Sequence, residues 1–336
     1  MRRSITISFI VVAALGSPVI LRAQDPVFSQ FYSSGLYLNP AMAGVENETF
    51  FGANYRSQWS SLSLPFNTFQ ASFINPIYNH GIKKKHLGGF GASLLNDVAG
   101  PNKEFATQSL SIAGAWNVQL DHNPNHIISF GLQGGVSQQR INYENLHWSS
   151  QYSVTTGYDP TMAGEGSVAN LRMFHPIVNT GLLWSYATQR SRSKPGVSFY
   201  NGIALNNFVQ QPITLKIHGG FTMPLSDRFD ISPGYLVVRQ ASNHQVNIGA
   251  YAGYSMLTNS NAQSALKLIA GTWYRLHDGM IFSAGIATKK ISVAFSYDNN
   301  ISSMGKTFGY AGAYELSLSY RAPGKNNFKR ISSPLI

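Results

Sequence analysis

With 336 residues, no cysteine and only 12% charged residues, the chain lacks the thiols of a disulfide framework or lipid anchor and the charge density of an ordinary soluble domain. Aromatics reach 12% and glycines number 31, yet no run of about twenty apolar residues follows the N-terminus, which excludes helical membrane spans. The net charge is +11, and removing Arg2, Arg3 and Arg22 leaves 22 basic against 14 acidic residues, or +8; this balance suits anionic surfaces or acidic partners, not nucleic acid.

The first segment reads as a signal peptide over residues 1–23. Arg2 and Arg3 form the basic region, Ile5 to Leu15 the apolar core, and Gly16, Ser17 and Pro18 break any helix before a cleavage point ahead of Gln24. Residues 24–46 form a plug segment. Within it, 27–38 are expected as a short amphipathic helix, ended by Asn39-Pro40 because a residue before proline avoids helical geometry; an ordinary extended leader is the alternative. Such a helix suits closing the periplasmic mouth of a barrel.

From residue 47 onward, apolar and small polar residues alternate with a period of two. Leu110, Ile112, Gly114, Trp116, Val118 and Leu120 interleave with Ser109, Ser111, Ala113, Ala115, Asn117 and Gln119; Tyr314, Leu316, Leu318 and Tyr320 interleave with Glu315, Ser317, Ser319 and Arg321. This is the pattern of strands with two unlike faces. Fourteen strands are expected near 47–59, 65–77, 86–97, 103–120, 126–142, 172–188, 196–206, 213–223, 227–238, 244–257, 265–276, 279–288, 290–300 and 311–322, although twelve or sixteen would also suit a barrel. Turn markers such as Asn79-His80-Gly81, Gly100-Pro101 and Asp278-Gly279 separate them. Two soluble β-sandwiches would alternate too. Strands of about ten residues or more, with Trp59, Trp116, Trp273, Tyr274 and Tyr320 near their ends, favour a transmembrane antiparallel β-barrel over 47–322.

If the first strand rises from the periplasm, the long connection near 143–171 lies outside, with Trp148, Tyr152 and Tyr158 as candidate partner-binding aromatics or loop packing. The basic clusters Lys83, Lys84, Lys85, then Arg190, Arg192, Lys194, then Lys289, Lys290 fall on periplasmic turns. Lys325, Lys329 and Arg330 occupy a periplasmic basic tail over 323–336. These residues make either a solvated rim or a docking face for an acidic partner.

Signals for catalysis are sparse. Nine histidines form no ligand spacing, and His218 and His277 read as lumen or rim residues. Asp227 and Asp230 read as turn chemistry and Asp97 as a loop start. Gly88-Gly89-Phe90-Gly91 sits inside a strand, where glycines let backbones approach as the barrel bends. No enzyme, cofactor or metal site is expected, although serine is too abundant to exclude a hydrolase triad on sequence alone.

Three ordered motifs carry a family resemblance: Gln24-Asp25-Pro26, with Phe28-Ser29-Gln30; Asn39-Pro40-Ala41, with Gly44; and Tyr55-Arg56, with Gln58-Trp59. Leu95-Asn96-Asp97, Phe130-Gly131-Leu132-Gln133-Gly134-Gly135, Trp273-Tyr274-Arg275, Phe295-Ser296-Tyr297-Asp298 and the stretch from Gly312 to Leu318 extend it. On these residues the chain resembles the PorP/SprF family of type IX secretion-associated membrane proteins of Bacteroidetes. Phe31 stands where the family usually has Tyr. The resemblance implies an outer-membrane barrel needed for export or surface anchoring of a secreted partner, such as a gliding adhesin, through the partner's C-terminal domain. It also implies contact with outer-membrane lipid, a periplasmic ring lipoprotein and a peptidoglycan-binding lipoprotein. A passive porin or hydrophobic-solute channel is the alternative. The last expected strand ends at Tyr320-Arg321, ahead of a tail, so Tyr320 would have to serve as an internal assembly signal.

Overall fold

The computed structural model describes residues 26–60, 65–79, 85–120, 125–143, 146–159, 161–162, 171–188, 196–209, 212–256, 266–302 and 312–322. Fourteen strands close into an antiparallel barrel. They are β1 (Thr49–Gln58), β2 (Phe66–Tyr78), β3 (His86–Ala99), β4 (Phe105–Gln119), β5 (His126–Ile141), β8 (Leu171–Ala187), β9 (Ser198–Asn206), β10 (Thr214–Pro224), β11 (Phe229–Gln240), β12 (Asn243–Met256), β13 (Leu266–Arg275), β14 (Gly279–Ala287), β15 (Ile291–Asn300) and β16 (Ala313–Ala322). A two-stranded hairpin, β6 (Tyr152–Ser153) with β7 (Gly157–Tyr158), stands in the connection between β5 and β8. Each barrel strand pairs with its neighbour in sequence, β5 pairs with β8, and β1 joins β16 from Thr49↔Ala322 to Gln58↔Ala313. Every expected strand is present, with ends shifted by no more than a few residues. The end where β1 begins and β16 ends is termed proximal; the opposite end, which carries the connection from β5 to β8, is distal.

Alternation sets the two faces. Ile112 is 71% and Leu132 68% exposed on the outer wall, an apolar face of the kind a membrane barrel turns to lipid. Trp116, Trp184 and Tyr320 stand outward towards the proximal end, and Tyr274, Tyr297 and Tyr314 towards the distal end. The inner phase is polar and self-bonded. Asn54 donates to Gln70 at 2.9 Å, Asn179 to Gln133 at 2.7 Å, and Gln133 to Ser111 at 2.8 Å.

Residues 26–46 run through the lumen, from the distal third down to the start of β1. They form a 3-10 turn (Phe31–Ser34), one α-helical turn (Gly35–Leu38) and a second 3-10 turn (Pro40–Gly44), in place of the single helix expected over 27–38. Ser33 and Ser34 turn their hydroxyls onto the Gln30 and Phe31 carbonyls, both at 2.7 Å, which competes with helical bonding. Barrel wall on every side also removes the need for one apolar stripe. The segment fills the lumen and is more than a cover over its mouth. Phe31, Tyr32 and Leu38 pack with Leu236, Tyr251, Ile269, Trp273 and Ile281; Leu36 and Ala43 with Phe50, Ile74 and Ala113; Ala41, Met42 and Val45 with Leu183.

Three readings of single residues change. Trp273, expected in the interfacial belt, is a lumen residue, 3% exposed and edge-on to Phe31 at 5.2 Å. Asp230 lies in β11 and pairs with Lys267 at 2.8 Å instead of shaping a turn, and Asp97 lies in β3, where the Thr68 hydroxyl donates to it at 2.6 Å. Gly88, at φ +144°, does mark a bend: the register of β2 with β3 slips there, between Ile77 and Tyr78. Other inward glycines make room for the plug. A Cβ on Gly131 would overlap the Ala41 nitrogen, and one on Gly181 the Asn39 side chain.

Candidate functional site: the plug latch and the distal loop

The first motif leads through a turn at Ser29-Gln30 that brings two backbone N–H groups into the lumen with no helical partners. They find a carboxylate. Glu315, on the inward phase of β16, accepts from Ser29 N at 2.8 Å and from Gln30 N at 3.0 Å. The Ser29 hydroxyl donates to Asp298 of β15 at 2.6 Å and accepts from Arg56 of β1 at 2.6 Å and from Arg275 of β13 at 3.1 Å. Arg56 bridges Asp298 at 2.8 Å and Glu315 at 3.4 Å, while Arg275 bridges Asp298 and Asp278, both at 3.1 Å. Two guanidiniums thus meet the two buried carboxylates Asp298 and Glu315, with Asp278 at the rim. Charge balance and dense hydrogen bonding are what make so dry a site tolerable. Gln30 completes it, donating to Ser296 at 3.2 Å and accepting from Ser317 at 2.6 Å.

The second motif anchors the lower half. The Asn39 side chain accepts from Ala41 N at 2.9 Å, capping the turn that Pro40 begins. That fixes its amide nitrogen towards the wall, 3.2 Å from the Leu182 carbonyl, 3.3 Å from that of Ile203 and 3.1 Å from His218 Nε2. His218 Nε2 is therefore the acceptor. Lys216 donates to the Tyr37 carbonyl at 2.8 Å and lies over the Tyr37 ring at 4.1 Å. The Pro26 carbonyl accepts from the Tyr37 hydroxyl at 2.7 Å, and the Gly44 carbonyl from Asn117 at 2.8 Å. Just before β1, Glu46 takes a two-pronged bond from Arg321 of β16 at 2.9 and 3.1 Å.

The structure therefore gathers Pro26, Phe28, Ser29, Gln30, Asn39, Pro40, Ala41, Gly44 and Arg56 into one buried system. Tyr55 instead faces outward, donating to Asn67 at 3.2 Å; Gln58 ends β1, and Trp59, at φ 56°, packs edge-on to Phe66. Gln24 and Asp25 lie outside the described residues. Glu315, Asp298 and Arg275 belong to the latch and were not singled out as site residues from sequence. Their signal was present: each is a charged residue on the inward phase of a strand.

At the distal end, His147 stacks on Tyr158 at 4.2 Å, and Tyr158 pairs across the hairpin with Tyr152 at 5.3 Å. Tyr152 is 55% exposed, so these rings form an open ledge. Trp148 turns away to stack on Tyr143 at 6.4 Å and belongs to the loop's own packing. The Asp159 carboxyl accepts from the Thr161 hydroxyl at 2.6 Å and its N–H at 2.9 Å, which hold it below the usual carboxylate range. Of the proposed docking cations, Lys85 stands at the proximal end, as do Lys289 and Lys290 between β14 and β15. Lys83, Lys84, Arg190, Arg192, Lys194, Lys325, Lys329 and Arg330 lie outside the described residues.

A family model described as type IX secretion system membrane protein PorP/SprF matches residues 20–320. No curated protein matches the chain. Among solved structures, the Ralstonia pickettii toluene transporter TbuX is 10% identical, with a TM-score of 0.46, over 86% of this chain and 93% of that one. The CymD monoaromatic hydrocarbon channel is 13% identical, with a TM-score of 0.44, over 88% and 94%. The β domain of the Bordetella autotransporter BrkA is 11% identical, with a TM-score of 0.42, over 81% and 98%.

Proposed function

Because the chain belongs to the type IX secretion system membrane protein PorP/SprF family, we propose that this outer-membrane barrel is a non-enzymatic holder for one secreted partner. It receives the partner's C-terminal domain at the distal end and supports export or surface anchoring, as of a gliding adhesin. The observation that carries this reading is the latched plug. A solute channel needs a continuous passage, whereas Phe31 to Val45 pack against the inner wall, and the cavity left beside Gln30, Tyr32, Met42, Tyr251 and Ser317 amounts to about 30 Å³, room for about two waters.

Taking the distal end as the cell surface follows from connection lengths: 142–170 and 301–312 are distal, while the proximal turns include 225–228 and 288–290. On this reading the Tyr152, Tyr158 and His147 ledge offers rigid amphipathic rings to a protein partner. The proximal end, with Lys85, Lys289 and Lys290, offers a basic face to acidic periplasmic partners. A ring lipoprotein and a peptidoglycan-binding lipoprotein are the partners it fits.

The test is isolation of the tagged barrel from native membranes, with identification of what elutes beside it. A secreted protein retained by its C-terminal domain, and released by Y152A/Y158A, supports the reading. Steady conductance in planar bilayers with no exported protein eluting would overturn it in favour of a channel. Charge reversal at 83–85 without loss of any periplasmic partner would remove the docking face alone.

A further inference from the structure

The barrel sorts its charge between its two faces. The strand carboxylates Asp97, Asp230, Asp298 and Glu315 all stand on the inward phase, tied to Thr68, Lys267, Arg56 or the plug. Among the described strand residues, the basic side chains on the outward phase are Arg140, Arg172, Arg239 and His244 at the distal end, and His126 at the proximal end. Among the described strand residues no carboxylate shares that face.

Register brings the distal basic residues together. Arg140 of β5 lies directly opposite Arg172 of β8, and Arg239 of β11 directly opposite His244 of β12. Like charges at opposed positions repel. Neither Arg140 nor Arg172 meets a carboxylate among the described residues, and both are exposed. Two guanidinium forks side by side form a receptor for a tetrahedral oxyanion.

Their height on the wall names the source of that anion. Along β5 the outward residues Phe130, Leu132 and Val136 are exposed and apolar, then comes Gln138, then Arg140. Across the strands Asn96, Gln108 and Gln138 stand in one register row, with Gln108 donating to Asn96 at 2.9 Å. The arginines stand one step beyond this amide row, where lipid headgroups begin, and they point sideways from the wall instead of over the mouth. The proximal rim of the same wall carries rings instead: Trp184 with His126 stacked on it, and Phe229 against Tyr254.

We propose that the Arg140–Arg172 pair, with Arg239–His244 further round the wall, binds phosphate groups of lipids in the leaflet at the distal end. An acidic protein segment would approach over the mouth, and these side chains do not face it. Naming that leaflet as the outer one rests on the orientation proposed above; binding itself does not.

The full-length barrel in detergent is offered lipid A, with and without its phosphates, and retention is read by native mass spectrometry. Phosphorylated lipid A is expected to stay bound and the dephosphorylated form to dissociate. R140Q/R172Q is expected to weaken retention roughly fivefold per arginine. R140K/R172K keeps the charge without the fork and falls between, and H126Q changes nothing. Equal retention of dephosphorylated lipid by the wild type would overturn the proposal, and that comparison needs no variant to fold. Undiminished binding by R140Q/R172Q would overturn it too. Displacement of the lipid by inorganic phosphate at equal concentration would show a site for a free anion and exclude the lipid. Because the assay contains no membrane sidedness, a wrong orientation leaves its result untouched.

Discussion

Arg56 of β1 and Glu315 of β16 are direct register partners across the seam that closes the barrel, 3.4 Å apart, with Ser29 of the plug bonded to both. The first and last strands are thus tied twice, once by their own ladder and once through the segment they enclose. At the proximal end of the same seam Glu46, just ahead of β1, pairs with Arg321 of β16 at 2.9 Å.

Removing one member of this buried set should cost far more than a surface ion pair. Arg56→Ala leaves Asp298 and Glu315 without their shared cation, and a loss of about 3–5 kcal/mol is expected. Arg56→Lys, which can reach only one partner at a time, should fall between it and the wild type. Denaturant titration of the heat-modifiable band in gels reads both. An unchanged midpoint for Arg56→Ala would mean that the latch contributes nothing to closure.

The glycines under the plug give a sharper contrast. Gly131→Ala forces a methyl into the Ala41 backbone, while three residues on, Gly134→Ala adds one with nothing within 4 Å. The first should cost about 1–3 kcal/mol as overpacking and expose residues 26–46 to protease several-fold faster. The second should be silent. Equal digestion of the two variants would show that the plug does not occupy the lumen as described.

The absence of cysteine makes orientation testable by single labels. Val154, fully exposed between β6 and β7, is expected to react as Val154→Cys with an impermeant maleimide on intact cells. Lys290→Cys should react only after the outer membrane is opened. The reverse pattern would exchange the two ends and move the proposed partner ledge into the periplasm.

Within the distal loop, the two exposed tyrosines and the tryptophan should separate. Tyr152→Ala and Tyr158→Ala are each expected to weaken partner retention by about 2 kcal/mol, the scale of an interface hot spot. Trp148→Ala should mainly loosen the loop around Tyr143 and leave retention within a few-fold.

Which parts of this were readable in advance follows from the range of the interactions involved. Strand limits are local: the alternation of Ile291 to Tyr297 or of Tyr314 to Tyr320 stops where the chain turns, and the observed ends lie within about two residues of those read from the pattern. The phase of each strand was equally local, so Glu315 and Asp298 could be placed inward. What they face could not, because Ser29 meets Glu315 across 286 residues of chain and no local pattern encodes that distance. Trp273 departs from expectation for the same reason: its phase is that of Arg275, but a tryptophan near a strand end resembles a belt residue until Phe31 is seen against it. The β6–β7 hairpin leaves no mark in the sequence, because strands of two residues carry no period at all.

The plug also dictates an order of assembly. Residues 26–46 leave the ribosome before any strand, yet the carboxylate that receives them belongs to β16, the last strand made. Until β16 arrives, the Ser29 and Gln30 amides have no acceptor and Arg56 lacks half its counter-charge. An unclosed sheet can therefore hold only the lower part of the segment, through Tyr37, Asn39 and Gly44, and the Ser29–Gln30 latch engages once the final strand has found the first.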